Sequence, residues 1–260
     1  MKILALLSIV YGLLMADVPM YYTSAVSNVV NVLPTRGNTK IAYKWLEESQ
    51  NNGGAIIIAM NGGHGKWELK DAHITPSRIG MILAQFDDYR VVSLDMPMDE
   101  YQNKNGGNGS EIYRGSKSQI DDIKTVLKAI NTSHSPVYIL TTSKSTLSGI
   151  NAASSDIENL KGVILTAIST DLSLFISSVG VRTLWIHHRN DTCFAPGIEG
   201  VRAMEEKTPY AMFVEVQNSA EVSGKECSMT NYHGFVGRDT QLAQIIDDWI
   251  KNKEISKTIE

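Results

Sequence analysis

Four short stretches consist almost wholly of strand-forming apolar residues. They are Ala55-Ile56-Ile57-Ile58-Ala59-Met60, Arg90-Val91-Val92-Ser93-Leu94, Val137-Tyr138-Ile139-Leu140 and Gly162-Val163-Ile164-Leu165-Thr166-Ala167-Ile168. A strand that is apolar on both faces belongs in the middle of a sheet covered by helices on both sides. Helical spacing appears between them. Ile79, Ile82, Leu83 and Phe86 lie within a candidate helix over 76–86, with Pro76 in its first turn. Ile120, Ile123, Leu127 and Ile130 share one face of a helix over 116–131. Leu242, Ile245, Ile246, Trp249 and Ile250 do the same in a helix over 239–251, which is expected to close the chain.

Residues 20–33 have a β-like mixture, and 39–47, 181–188 and Phe213-Val214-Glu215-Val216 complete the expected strands, the last of these being the final one. The Asn- and Gly-rich segment 97–114 reads as a long surface loop. Strands alternating with helices at this spacing predict an α/β fold with a doubly wound, mostly parallel sheet. At 260 residues, 43% hydrophobic and 20% charged, the chain suits one such domain. Chemistry in these sheets sits beyond the carboxyl ends of the strands. That rule selects 61–65, 95–98, 143–145, 169–171, 187–193 and 217–233.

The third apolar run leads directly into Thr141-Thr142-Ser143-Lys144-Ser145-Thr146, and a small-residue helix pattern follows. A strand–turn–helix corner of this kind can present a serine. A serine attacks an acyl carbon only if a base takes its proton, an acid orients the base and donors hold the oxyanion. The strand-end rule supplies candidates for each part. Ser143 is the nucleophile, Asp191 the acid in the loop after 181–188, and His233 the base before the last helix. The backbone N–H groups of Lys144 and of Gly63 or His64 are the oxyanion donors, in a glycine loop that lets backbone approach the substrate.

On these residues the chain resembles the α/β-hydrolases, in the chain order Ser…Asp…His that the fold uses. More narrowly, it is similar to secreted or periplasmic bacterial members whose elbow reads G-T-S-R-G-T. Residues 141–146 are a degenerate form of that elbow, with Thr141 and Ser145 at the two glycine positions. The stretches 186–196, 232–237 and 94–99 resemble that group's acid loop, histidine loop and the turn after the preceding strand. The resemblance spans about residues 50–252 and implies a serine hydrolase without a cofactor. The short connection between the strands near 168 and 181 argues against a large cap. An open site bounded by the 97–114 loop would admit a small-molecule or polymer-borne acyl substrate.

Thr141 adds bulk where the strained elbow needs small neighbours, so the sequence locates any loss of activity at Thr141 and Ser145. Two other readings stay open: an inactive hydrolase-fold binding protein, and a peptidase using the same three residues.

The N-terminus supplies a compartment. Lys2, a run of about a dozen apolar residues ending at Ala16, and then Asp17 and Pro19 read as a signal peptide over 1–16. The run is short for a membrane span, which needs about 20 residues. The mature domain is then 17–260, periplasmic or secreted, with no stable span after cleavage. In an oxidising space Cys193 and Cys227 are expected to pair, tying the acid loop to the histidine loop. A net charge of −4 gives no sign of a nucleic-acid partner. No metal site is expected: His187 and His188 are adjacent on a strand and point to opposite faces. Asp95, also after a strand, is read as tying its loop and His64 as a loop residue.

Overall fold

The computed structural model describes residues 29–46, 49–63, 77–97, 109–193 and 197–260. The signal-peptide reading over 1–16, most of the β-like stretch 20–33, His64, and residues 98–108 and 194–196 lie outside them. Among the described residues nine strands form one sheet: β1 (Asn31–Pro34), β2 (Lys40–Trp45), β3 (Ala55–Met60), β4 (Tyr89–Leu94), β5 (Val137–Thr142), β6 (Leu160–Thr166), β7 (Arg182–His188), β8 (Ala211–Val216) and β9 (Thr258–Ile259). Their order across the sheet is β1-β2-β4-β3-β5-β6-β7-β8-β9. β1 pairs with β2, and β2 with β4, in antiparallel register; the other pairings are parallel.

The helices are α1 (Arg78–Leu83), α2 (Gly109–Arg114), α3 (Lys117–Ile130), α4 (Thr146–Ala153), α5 (Gly197–Glu205) and α6 (Asp239–Ile250). Alternation along the central strands sorts the core into two layers. Ile56, Ile58, Val163 and Leu165 pack with Ile120, Ile123 and Leu127 of α3 and Ile150 of α4. Ile57, Ala59 and Ile164 face the other way, onto Leu83 of α1 and Leu242, Ile246 and Trp249 of α6. Each such side chain is worth about 1.5–3 kcal/mol when removed from water, so both layers are needed to bury the continuous apolar runs.

Two expectations are corrected. The chain does not close on a helix: after α6, Asn252 turns with φ 57° and β9 adds to the edge of β8. Two residues carry no periodic signal, so this strand was invisible in sequence. Segment 97–114 is not loop throughout, because 109–114 is helical and buries Tyr113 and Arg114. The Tyr113 hydroxyl donates to Asp122 Oδ2 at 2.6 Å, which outweighs the local Asn/Gly composition. The helix over 197–205 was not anticipated either. In the β6–β7 connection the one short 3₁₀ turn is Ile176–Ser178, and no large cap is present among the described residues.

The order β4-β3-β5 positions the site. From β3 the chain passes to β4 on one side and returns to β5 on the other, so a crevice opens beyond the carboxyl ends of β3 and β5. Met60 pairs with Thr141 there, which brings residues 61–63 beside the turn at 143–145.

Candidate active site

β5 ends at Thr142, a 3₁₀ turn occupies Ser143–Ser145, and α4 begins at Thr146. Ser143 has φ 55°, a left-handed conformation that strains a residue with a Cβ. The turn is fixed by its hydroxyls. Ser145 Oγ accepts from Thr142 N at 2.8 Å and lies 2.7 Å from the carbonyl oxygens of Met60 and Thr142. Thr146 Oγ1 donates to Ser143 O at 2.6 Å. Ser145, in a glycine position of the degenerate elbow, therefore ties β3 to the corner.

Thr141 is accommodated by a different device. Its Oγ1 donates to Ile164 O at 3.0 Å, and the space a helix side chain would need is left free by Gly149. A Cβ at Gly149 would lie 2.7 Å from Thr141 Oγ1 and 2.6 Å from Leu165 Cδ2. The close approach of α4 to the sheet, expected to depend on position 141, depends here on position 149.

Gly62 closes the other side. A Cβ there would stand 2.5 Å from Ser143 Cβ and 2.9 Å from Thr142 O, so no other residue fits without movement. Gly63 has φ 73° and lines the same crevice. Lys144 directly follows Ser143, and its Nζ pairs with Glu111 Oε1 at 2.6 Å.

His233 lies in a 3₁₀ turn, Tyr232–Gly234, in which Asn231 Oδ1 accepts from Tyr232 N at 2.6 Å. Gly234 runs so close to the Met229 backbone that a Cβ would fall 2.2 Å from Met229 O. The turn delivers a buried imidazole. His233 Nε2 is 2.9 Å from Ser143 Oγ, and Nδ1 is 2.8 Å from Asp191 Oδ2. Asp191 is itself fixed, because its Oδ1 accepts from Cys193 N at 2.9 Å and its N–H donates to His188 O at 3.0 Å. The structure thus brings Ser143, His233 and Asp191 into one hydrogen-bonded run. With Nδ1–H given to the carboxylate, Nε2 accepts the Ser143 proton. Ser169 Oγ, 3.1 Å from Ser143 Oγ, is then the donor to it. Ser169 was only part of a strand-end segment in sequence; no motif distinguished it.

Cys193 and Cys227 are bonded, with Cα atoms 4.8 Å apart. The bridge joins the residue that donates to Asp191 to the segment that leads into His233. Removing it is expected to cost about 3–4 kcal/mol of stability by the loop-entropy relation. Urea unfolding of Cys193→Ser/Cys227→Ser against the oxidised protein measures this. A loss well below 1 kcal/mol would mean that the loops hold themselves.

His187 and His188 do not line the crevice. His188 is buried, accepts from Asn190 N at 3.0 Å and packs against the Tyr232 ring at 4.7 Å. His187 is buried with Nε2 3.9 Å from Asp191 Oδ2. Burial, opposed by Asp191, lowers its pKa to about 4, so it is neutral at pH 7.

Asp95 does reach the crevice, where its Oδ1 accepts from Met96 N at 2.8 Å. Burial pushes its carboxyl up to about 6, the Met96 hydrogen bond opposing. The folded form binds this proton more tightly than the unfolded chain, so the group costs stability as pH rises through 4 to 6. Asp95→Asn keeps the acceptor and removes the charge. It is expected to raise stability by about 1–2 kcal/mol at pH 8 and by nothing near pH 3, measured as unfolding midpoints. An equal gain at both pH values would contradict the assignment.

The crevice has a volume of about 550 Å³. Ser143 and His233 stand on its wall with Gly62, Asp95, Arg114 and Phe235. Tyr113 and Arg114 belong to the segment expected to bound the site, and Cys227 and Met229 come from the histidine loop.

Comparison with known proteins rests on structure. The sequence matches no family model and no curated protein. An esterase of Pyrococcus furiosus superposes with a TM-score of 0.58 at 12% identity, covering 88% of this chain and 93% of that one. This chain has the α/β-hydrolase fold. An esterase of Rhodococcus superposes with a TM-score of 0.59 at 13% identity, over 86% of this chain and 99% of that one. A thioesterase domain of the curacin biosynthetic pathway gives 0.56 at 11% identity, over 85% and 99%. Identities this low carry the fold and leave the chemistry to be argued from the α/β-hydrolase crevice itself.

Proposed function

We propose that the chain is a serine hydrolase that cleaves an ester or another acyl bond through an acyl-enzyme. The observation that carries this reading is the unbroken run from Ser143 Oγ through the His233 ring to Asp191 Oδ2, at 2.9 and 2.8 Å, beside a crevice open to substrate. Ser143 Oγ attacks the acyl carbon while His233 Nε2 takes its proton. Asp191 holds the ring and stabilises the imidazolium. The N–H of Lys144 and one from Gly63 or His64 receive the oxyanion. Collapse of the tetrahedral species breaks the acyl bond, and His233 returns the proton to the leaving group. Water then repeats the sequence and frees the acid. The esterase and thioesterase neighbours favour ester chemistry over amide cleavage. The apolar N-terminal run and the disulfide support a periplasmic or secreted setting.

A series of 4-nitrophenyl esters from acetate to octanoate, with 4-nitroanilides of the same acids, tests the reading. Ester turnover well above the buffer rate, with anilides slower, is expected. Anilide cleavage at comparable rates would make the protein a peptidase. Absence of turnover with every substrate in folded protein would remove the enzyme reading.

A further inference from the structure

One charge in the crevice has no role in acyl transfer. Arg114, at the end of α2, is 1% exposed yet lines the same wall as Ser143. Among the described residues its Nε and Nη2 reach Met96 Sδ, at 3.3 and 3.2 Å, and Nη2 also reaches Asn61 O at 3.3 Å. These are long contacts to weak or neutral acceptors. Among the described residues, Nη1 has no hydrogen-bond partner. Burial lowers the guanidinium pKa to about 10, partly offset by Glu111, so the group stays cationic at neutral pH. Glu111 Oε1 is already paired with Lys144.

A second unsatisfied group lies on that wall. Gln119, 2% exposed, donates from Nε2 to Ser148 Oγ at 2.6 Å, while its buried Oε1 has no partner among the described residues. The other charged groups facing the crevice are engaged. Asp95 holds Met96 N, and Arg78 donates through Nη2 to Gly234 O and lies 3.4 Å from Asp239, although its Nε makes no hydrogen bond among the described residues. A buried cation without a direct ion pair is costly, and native proteins keep one where something supplies the missing charge.

We infer that Arg114 and Gln119 form an anion subsite, and that the hydrolase acts on substrates carrying a carboxylate within reach of the scissile acyl bond. The inference rests on the hydrolase reading and narrows its substrate class. Arg114 Nη1 donates to the substrate carboxylate, and Gln119 Oε1 accepts a neighbouring hydroxyl or amide proton where the substrate has one. One open guanidinium NH₂ beside a neutral amide suits a monoanionic carboxylate better than a phosphate dianion, which needs more donors.

The test compares the 4-nitrophenyl monoester of glutaric acid with 4-nitrophenyl valerate, which replaces the carboxylate by a methyl group. In the wild type the glutarate ester is expected to show a kcat/KM about tenfold or more above the valerate ester, the scale of one charge-assisted hydrogen bond. In Arg114→Met that ratio falls to one or below, and Arg114→Lys retains part of it. Because the ratio is taken within each variant, general damage to the crevice cancels. A ratio unchanged in Arg114→Met and Arg114→Lys would make Arg114 a packing residue and overturn the subsite. So would a wild type that cleaves the valerate ester without preferring glutarate, and in that case the hydrolase reading would stand. If neither ester is cleaved the hydrolase reading fails instead, and calorimetric titration with glutaric monoanilide decides the subsite. Binding that valeric anilide lacks, and that Arg114→Lys weakens, supports it; equal or no binding of the two anilides overturns it.

Discussion

Ser143→Ala is expected to lower kcat for ester hydrolysis by about 10⁴–10⁶-fold while the fold is kept. In the proposed mechanism position 143 carries the attacking oxygen, and alanine removes that atom without adding bulk to a corner already held by Ser145 and Thr146. The left-handed φ of 55° stays as strained for alanine as for serine, so unfolding midpoints should move by less than about 1 kcal/mol. His233→Ala should lose a comparable factor. The double variant should be no slower than either single one, because the two residues act as one unit in the proton transfer. Steady-state rates of the three proteins measure this directly. A Ser143→Ala protein with more than about a tenth of the wild-type rate would assign the chemistry elsewhere.

The second large effect belongs to Gly149. Alanine there is expected to destabilise the protein by about 2–3 kcal/mol, although alanine is ordinarily the better helix former. Its Cβ would fall between Leu165 Cδ2 and Thr141 Oγ1, at 2.6 and 2.7 Å, on the side of α4 that lies against β6. The cost should be coupled to position 141. Thr141→Gly alone loses the hydrogen bond to Ile164 O and weakens a central strand, whereas in the Gly149→Ala background it also relieves the clash. The double variant should therefore be about 1 kcal/mol more stable than the sum of the single effects. Denaturant unfolding of the four proteins gives that coupling. Strict additivity would show that Thr141 and Gly149 do not share the space between helix and sheet.

This pair also marks where sequence reading stopped. Ala55–Met60 was legible to the residue, because six apolar residues in a row have one placement in a doubly wound sheet. Helix α3 was legible within a residue at each end, since Ile120, Ile123, Leu127 and Ile130 repeat at helical spacing. The strand-end rule singled out Ser143, Asp191 and His233, and the fold brings all three into contact. Thr141 and Ser145 were read as damage. In space they are a hydrogen bond to Ile164 O and a tie to the end of β3, and the room that Thr141 consumes is returned by Gly149. Compensation between residues eight positions apart has no local signature.

The individual roles of Gly62 and Ser169, both within selected strand-end segments, escaped notice for the same reason. Gly62 matters because its Cα hydrogens face Ser143, and Ser169 because β6 ends beside β5. Strand β9 and helix α2 were missed for a different cause, being too short or too polar for periodicity to register. Arg114 lay in a stretch read as surface loop, and only its burial beside the crevice makes its unpaired Nη1 informative.

The central claim is that Ser143 is a nucleophile activated by His233 and Asp191. Intact-mass and peptide-level analysis of the folded protein after reaction with a fluorophosphonate tests it most directly. One phosphonyl group is expected, on the peptide carrying Ser143, with none on the Ser143→Ala protein and much slower labelling of His233→Ala. A folded wild type that takes up no label, or a label that persists in Ser143→Ala, would contradict the account.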